Sequence, residues 1–91
     1  MRVLKQATAG TMESSDVMIQ VFPGEGAVEI EVNSSVDMYY HDAIVGVLED
    51  VLKEAGVDSA KVVAVDHGAL DCTLRARMTT ALRRAAREAE A

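Results

Sequence analysis

Val28, Ile30 and Val32 alternate with Glu29, Glu31 and Asn33. A period of two puts the apolar side chains on one face of a strand and the polar ones on the other. Upstream, Val17, Ile19 and Val21 fall on one face of a run rich in strand formers over 17–22. Residues 6–12, with small side chains, read as a weaker first strand. Pro23-Gly24-Glu25-Gly26 is a strong turn signal between the second and third strands and reads as a hairpin turn. These three strands predict an antiparallel meander. The period then changes. Ile44, Val47, Leu48, Val51, Leu52 and Ala55 recur at helical spacing, with Asp42 near the start and Gly56 just past the end. Lys61-Val62-Val63-Ala64-Val65 is a nearly continuous β-branched run, as expected of a strand that is central or buried on both faces. After the Asp66-His67-Gly68 turn, Leu70, Leu74, Met78, Ala81, Leu82 and Ala85 form a second apolar helical stripe, and the tail from 86 to 91 is expected to fray. The order β-β-β-α-β-α predicts an α+β fold: a two-layer sandwich with two helices packed on one small, mostly antiparallel sheet. Periodicity does not give the strand order.

At 91 residues the chain has the length of one domain, spanning 1–91. It carries a formal net charge of −6, which repels phosphate backbones and argues against a nucleic-acid partner. The charge is uneven: residues 1–73 hold 4 basic and 13 acidic side chains, residues 74–91 hold 5 and 2. That suits a soluble surface with a basic last helix, or an acidic body that docks on basic partner subunits. The single cysteine, Cys72, makes no internal disulfide and no cysteine zinc site. No signal-peptide-like apolar stretch and no membrane-length apolar run is present. These features predict a cytoplasmic chain without a metal and without a membrane partner.

Candidate chemistry is sparse. His41 and His67 each sit beside an acid, Asp42 and Asp66, in turns where solvated polar residues are common, so neither is read as the base of a catalytic pair. Cys72 lies in the first turns of the second helix and is expected in the core. Met12, Met18, Met38 and Met78 are expected as core filler. Glu29 and Glu31 read as a solvated sheet face, and Arg75, Arg77, Arg83, Arg84 and Arg87 as a solvated helix face. No GxGxxG, GxxxxGK(S/T) or GxSxG motif occurs. What remains is Ser14-Ser15, two adjacent hydroxyls between Glu13 and Asp16, in a segment expected to form an exposed turn. Taken alone these are ordinary turn serines or sites for a covalent modification. Asp16 is placed to cap the turn.

The chain resembles the acyl carrier protein of citrate lyase, its gamma subunit. The resemblance runs nearly end to end and rests on GTMESSD at 10–16, DVMIQV at 16–21, VNSSVDMYYHDAI at 32–44 and DHGALDCTLRARM at 66–78. It implies a non-catalytic carrier. The serine after Glu in the first block, Ser14, would bear a phosphodiester-linked group donated by 2′-(5″-triphosphoribosyl)-3′-dephospho-CoA and attached by a dedicated transferase. The arm's thiol would carry acetyl. The alpha subunit would exchange acetyl for citrate, and the beta subunit would cleave the citryl thioester to oxaloacetate. In one respect the sequence departs from the pattern. Relatives commonly have Gly after the modified serine, where Ser15 stands here, so a backbone that glycine would suit holds a serine, and Ser15 becomes the lesser candidate hydroxyl. The carrier of fatty-acid synthesis, a helical bundle with an Asp-Ser-Leu site, is not matched. A malonate decarboxylase carrier, which uses the same type of group, is the nearest alternative, and an unmodified bridging subunit is a third.

Overall fold

The computed structural model describes residues 1–34 and 40–86. Its elements are β1 (Ala7–Gly10), β2 (Val17–Pro23), β3 (Val28–Ser34), α1 (His41–Glu54), β4 (Ala60–Asp66) and α2 (Asp71–Ala86). The class and the element order are those expected of an α+β chain. The middle of the 32–44 block, Met38 and Arg87 lie outside the described residues. Ala86, placed in the fraying tail, is still helical.

The strands form one sheet in the order β1-β2-β4-β3. β1 pairs with β2 and β2 with β4 antiparallel, whereas β3 runs parallel to β4. The expected meander is therefore corrected: β2 and β3 do not pair, and β4 lies between them. The reason is visible in the side chains. Beyond Lys61, β4 offers no polar residue before Asp66, so it gains most from neighbours on both edges. β3, with Glu29, Glu31 and Asn33, can stand at a sheet edge, where charged residues discourage further pairing. A parallel neighbour requires a crossover, which α1 provides. The 24–27 connection is accordingly no hairpin turn but a bridge over the start of β4. Ala60 N–H donates to the Ala27 carbonyl at 3.1 Å, and Gly26 N–H to Ser59 Oγ at 3.0 Å. A Cβ on Gly24 would fall 2.4 Å from Ala60 N, so glycine serves close passage there.

Register places Ile19, Ala64 and Val32 in one row and Val21, Val62 and Ile30 in the next. These face the helices: α2 covers β1 and β2, and α1 packs on β3 and against α2. Ile19, Leu48, Leu74, Met78 and Leu82 are fully buried at the centre of this layer. β4 is central as expected but covered on one face only, since Val63 and Val65 on the other face are half-buried.

Two expectations about the apolar stripes change. Leu70 precedes α2 and is 70% exposed. Met12 lies in the β1–β2 loop and is 53% exposed, so among the described methionines it is Met78 that fills the core. α1 ends as its glycine predicts. Gly56, at φ 71, donates to the Lys53 carbonyl and Val57 to the Leu52 carbonyl, a Schellman motif that satisfies two terminal carbonyls and buries Val57. At its start no side chain caps the helix; Asp42 lies within the first turn.

Candidate functional site

The loop joining β1 to β2 comprises residues 11–16. Its apex is a four-residue turn from Glu13 to Asp16, closed by Asp16 N–H to the Glu13 carbonyl at 3.3 Å. Ser14 occupies the second position and Ser15 the third, and both are exposed. Ser15 has φ 63 and is the one non-glycine residue at positive φ among the described residues. A turn with positive φ at its third position favours glycine there. The departure noted in the sequence thus falls where the backbone needs the left-handed conformation, which an L side chain adopts at a cost of about 1–2 kcal/mol.

The turn is fastened to three parts of the fold. Ser15 N–H donates to the His67 carbonyl at 2.7 Å, and His67 N–H donates to the Asp16 carbonyl at 2.9 Å, continuing the β2–β4 ladder past its last strand pair. Below the turn, the Asp16 carboxylate is a hub. Its Oδ1 accepts from Arg77 Nε at 3.0 Å and from Val17 N–H at 2.7 Å. Its Oδ2 accepts from Arg77 Nη2 at 2.8 Å and from Thr11 Oγ1 at 2.6 Å. Thr11 Oγ1 in turn accepts from Glu13 N–H at 3.2 Å. Asp16 is buried while Arg77 keeps partial contact with water. The two parallel bonds from the Arg77 guanidinium, followed by those from Thr11 and Val17, hold the Asp16 carboxyl well below the usual carboxylate range, and the Arg77 guanidinium is raised in return. A carboxylate so fully bonded makes a poor proton acceptor. Asp16 shapes the turn that carries the two exposed hydroxyls.

Gly10 completes the arrangement. It ends β1 at φ 101, and a Cβ there would lie 1.8 Å from the Val17 carbonyl oxygen. A side chain at this position would force the two strands apart at the base of the loop.

Other candidates lie elsewhere. His41 is exposed on the first turn of α1, with Nδ1 3.4 Å from Asp42. Asp66, expected to be solvated, is 2% exposed. It accepts from Ser34 Oγ and from Ala69 N–H, both at 3.0 Å, tying β3 to the turn after β4. Cys72 is exposed rather than buried: two residues before Leu74, it lies about 200° around the helix from the buried stripe. Arg75 faces Asp50 at 3.4 Å and Arg84 Nη1 bonds the Thr8 carbonyl at 2.8 Å. Arg77, read from sequence as one of several solvated arginines, is instead the partner of Asp16 beneath the turn, a contact that reading missed. Nothing in the local pattern links it to Asp16, 61 residues away. The only hint was that both lie in blocks that carry the resemblance.

A small sheet-and-helix fold in which Thr11, Asp16 and Arg77 anchor an exposed serine turn fits a subunit that presents a group rather than one that transforms it. The comparisons agree. The family model described as malonate decarboxylase delta subunit, an acyl carrier (ACP) family, matches residues 4–85. A solved Pseudomonas malonate decarboxylase hetero-tetramer in complex with malonate contains a chain with the same fold. Its TM-score is 0.75 at 18% identity, over 90% of this chain and 84% of that one. Curated relatives are nearer in sequence. A citrate lyase acyl carrier protein from Haemophilus ducreyi is 46% identical over 98% of this chain and 93% of its own length. One from Pectobacterium atrosepticum is 41% identical over 93% and 88%. Another from Streptococcus uberis is 45% identical over 94% and 85%. The chain is thus a non-catalytic carrier subunit of the acyl carrier class. Within that class it belongs to the citrate lyase acyl carrier protein family.

Proposed function

We propose that this chain is the acyl carrier of a citrate lyase and that Ser14 holds its prosthetic group. One observation carries the assignment of the serine. Ser14 is the exposed corner of a turn whose neighbours on both sides are fastened to the fold. The donor is 2′-(5″-triphosphoribosyl)-3′-dephospho-CoA. Ser14 Oγ attacks the phosphorus that becomes the phosphodiester, an Oγ–P bond forms, the bond to the outer phosphates breaks, and pyrophosphate leaves. The hydroxyl proton passes to a base of the transferase or to water, and the group remains as phosphoribosyl-dephospho-CoA. Held there, the group would supply a thiol for acetyl and citryl thioesters, which the chain would present to the alpha and beta subunits in the cytoplasm. Tethering supports this division of labour, because a thioester held on a flexible arm meets each partner site at high effective concentration.

The second reading, a carrier for malonate decarboxylase, is favoured by the description of the matching family model. It shares the serine and the type of group and differs in partners. Reconstitution separates the two: the loaded carrier is combined with citrate lyase alpha and beta subunits and, separately, with malonate decarboxylase subunits lacking their carrier. Citrate cleavage in the first mixture and no malonate decarboxylation in the second is expected, and the reverse would overturn the choice. In the same assay Ser14→Ala should be inactive while folded. An active Ser14→Ala without any adduct would instead point to an unmodified bridging subunit, and an active one loaded at Ser15 would move the site by one residue.

A further inference from the structure

Two adjacent hydroxyls crown the loop, yet the fold treats them differently. Ser15 is pinned by its N–H to the His67 carbonyl at 2.7 Å and held at φ 63. Ser14 stands at the corner before it. The next residue, Asp16, is locked by four hydrogen bonds, two of them from Arg77 on α2. A serine at positive φ keeps that conformation only where its surroundings impose it. The His67 backbone holds the turn from β4 on both sides of Ser15, and Asp16, itself fixed by Arg77, fixes its end. Arg77 comes from a different element and touches neither serine in any hydrogen bond of the site. Its effect on the turn passes through Asp16 and, by the Asp16 bond, through Thr11 and the Glu13 amide.

We propose that Arg77 is a positioning residue for covalent loading, setting through Asp16 which of the two neighbouring hydroxyls is offered to the transferase. This rests on the proposed carrier role. The transferase would meet a preformed turn with Ser14 at its corner, and the ordering of the turn would already be complete in the free carrier. Bidentate geometry is what the task needs, since lysine supplies a point charge without the planar fork. The reaction is that of the preceding subsection: Oγ–P forms, P–O to pyrophosphate breaks, and the proton leaves to a transferase base or to water.

The test loads wild type, Arg77→Gln, Arg77→Lys and Asp16→Asn with the purified transferase and the triphosphoribosyl donor. It follows the initial rate by intact mass and the position of the adduct by peptide mapping, with a thermal melt for each variant. Wild type should load on Ser14 alone. Folded Arg77→Gln should load with kcat/KM lower by about tenfold or more, with adduct also appearing on Ser15. Arg77→Lys should fall between the two. Site choice is the discriminating readout, because a lower folded fraction slows loading without moving it to the neighbouring serine. Wild-type rate with Ser14 alone in folded Arg77→Gln overturns the proposal. So does a slower rate that matches the loss of folded protein with Ser14 still the only site. Should Arg77→Gln fail to fold, Arg77→Lys and Asp16→Asn are judged by the same two criteria. Absence of any adduct on wild type overturns the carrier role itself and this inference with it, whereas loading of wild type at Ser14 with no change in the variants overturns this inference alone.

Discussion

Asp16 illustrates how one side chain can govern a site without reacting in it. Its carboxyl is held below its ordinary value of 3.8 mainly by Arg77. As pH falls, the unfolded chain takes up this proton before the folded one does. The stability tied to Asp16 is therefore full above about pH 4 and is lost as pH falls from there through the lower folded value. Asp16→Asn removes that proton uptake. The melting temperature of the variant, lower than wild type at neutral pH, should fall less steeply than wild type below pH 4. Parallel curves would show that Asp16 is not the acid-sensitive group. Ser15 gives a second check. Ser15→Val places a β-branched residue at φ 63 and should cost about 1–2 kcal/mol in denaturant unfolding, whereas Ser15→Gly should hold or raise stability. At this scale the sequence told much: GTMESSD marked the turn, and a serine where relatives commonly carry glycine pointed to a left-handed backbone. It did not reveal the Asp16–Arg77 pair, because a long-range contact between two charged residues leaves no periodic trace.

The elements themselves were legible wherever one pattern dominated. Period two gave β2 and β3, helical spacing gave α1 and α2, and the β-branched run gave a central β4. Their arrangement was less so. Two alternating strands with a glycine-rich connection resemble a hairpin, and only the need of β4 for partners on both edges separates them. Cys72 and Leu70 were misplaced for a related reason, since near a helix start one residue of shift turns a side chain from core to solvent. Two substitutions test the element-level account. Gly10→Ala would drive a Cβ against the Val17 carbonyl and should destabilise by more than about 1 kcal/mol. Leu48→Ala, in α1 at the centre of the core, should cost about 2–5 kcal/mol without disturbing the serine turn. Denaturant unfolding checks both, and a neutral Gly10→Ala would contradict the close approach of the strands there.

Across the whole molecule, one layer of helices and one sheet form the base, and the β1–β2 loop carries its exposed serines where the end of β4 and α2 hold it. No helix among the described residues is long and apolar enough to cross a membrane. The acidic body, with a net charge of −6 for the chain, suits partners with basic surfaces. On the proposed function, this scaffold exists to bear a group on Ser14. The most direct test is the intact mass and peptide map of the protein co-produced with its transferase. A mass increase equal to the triphosphoribosyl-dephospho-CoA donor less pyrophosphate, located on Ser14 and abolished in Ser14→Ala, is expected. An unmodified chain in the presence of a transferase shown to be active on another carrier would contradict it.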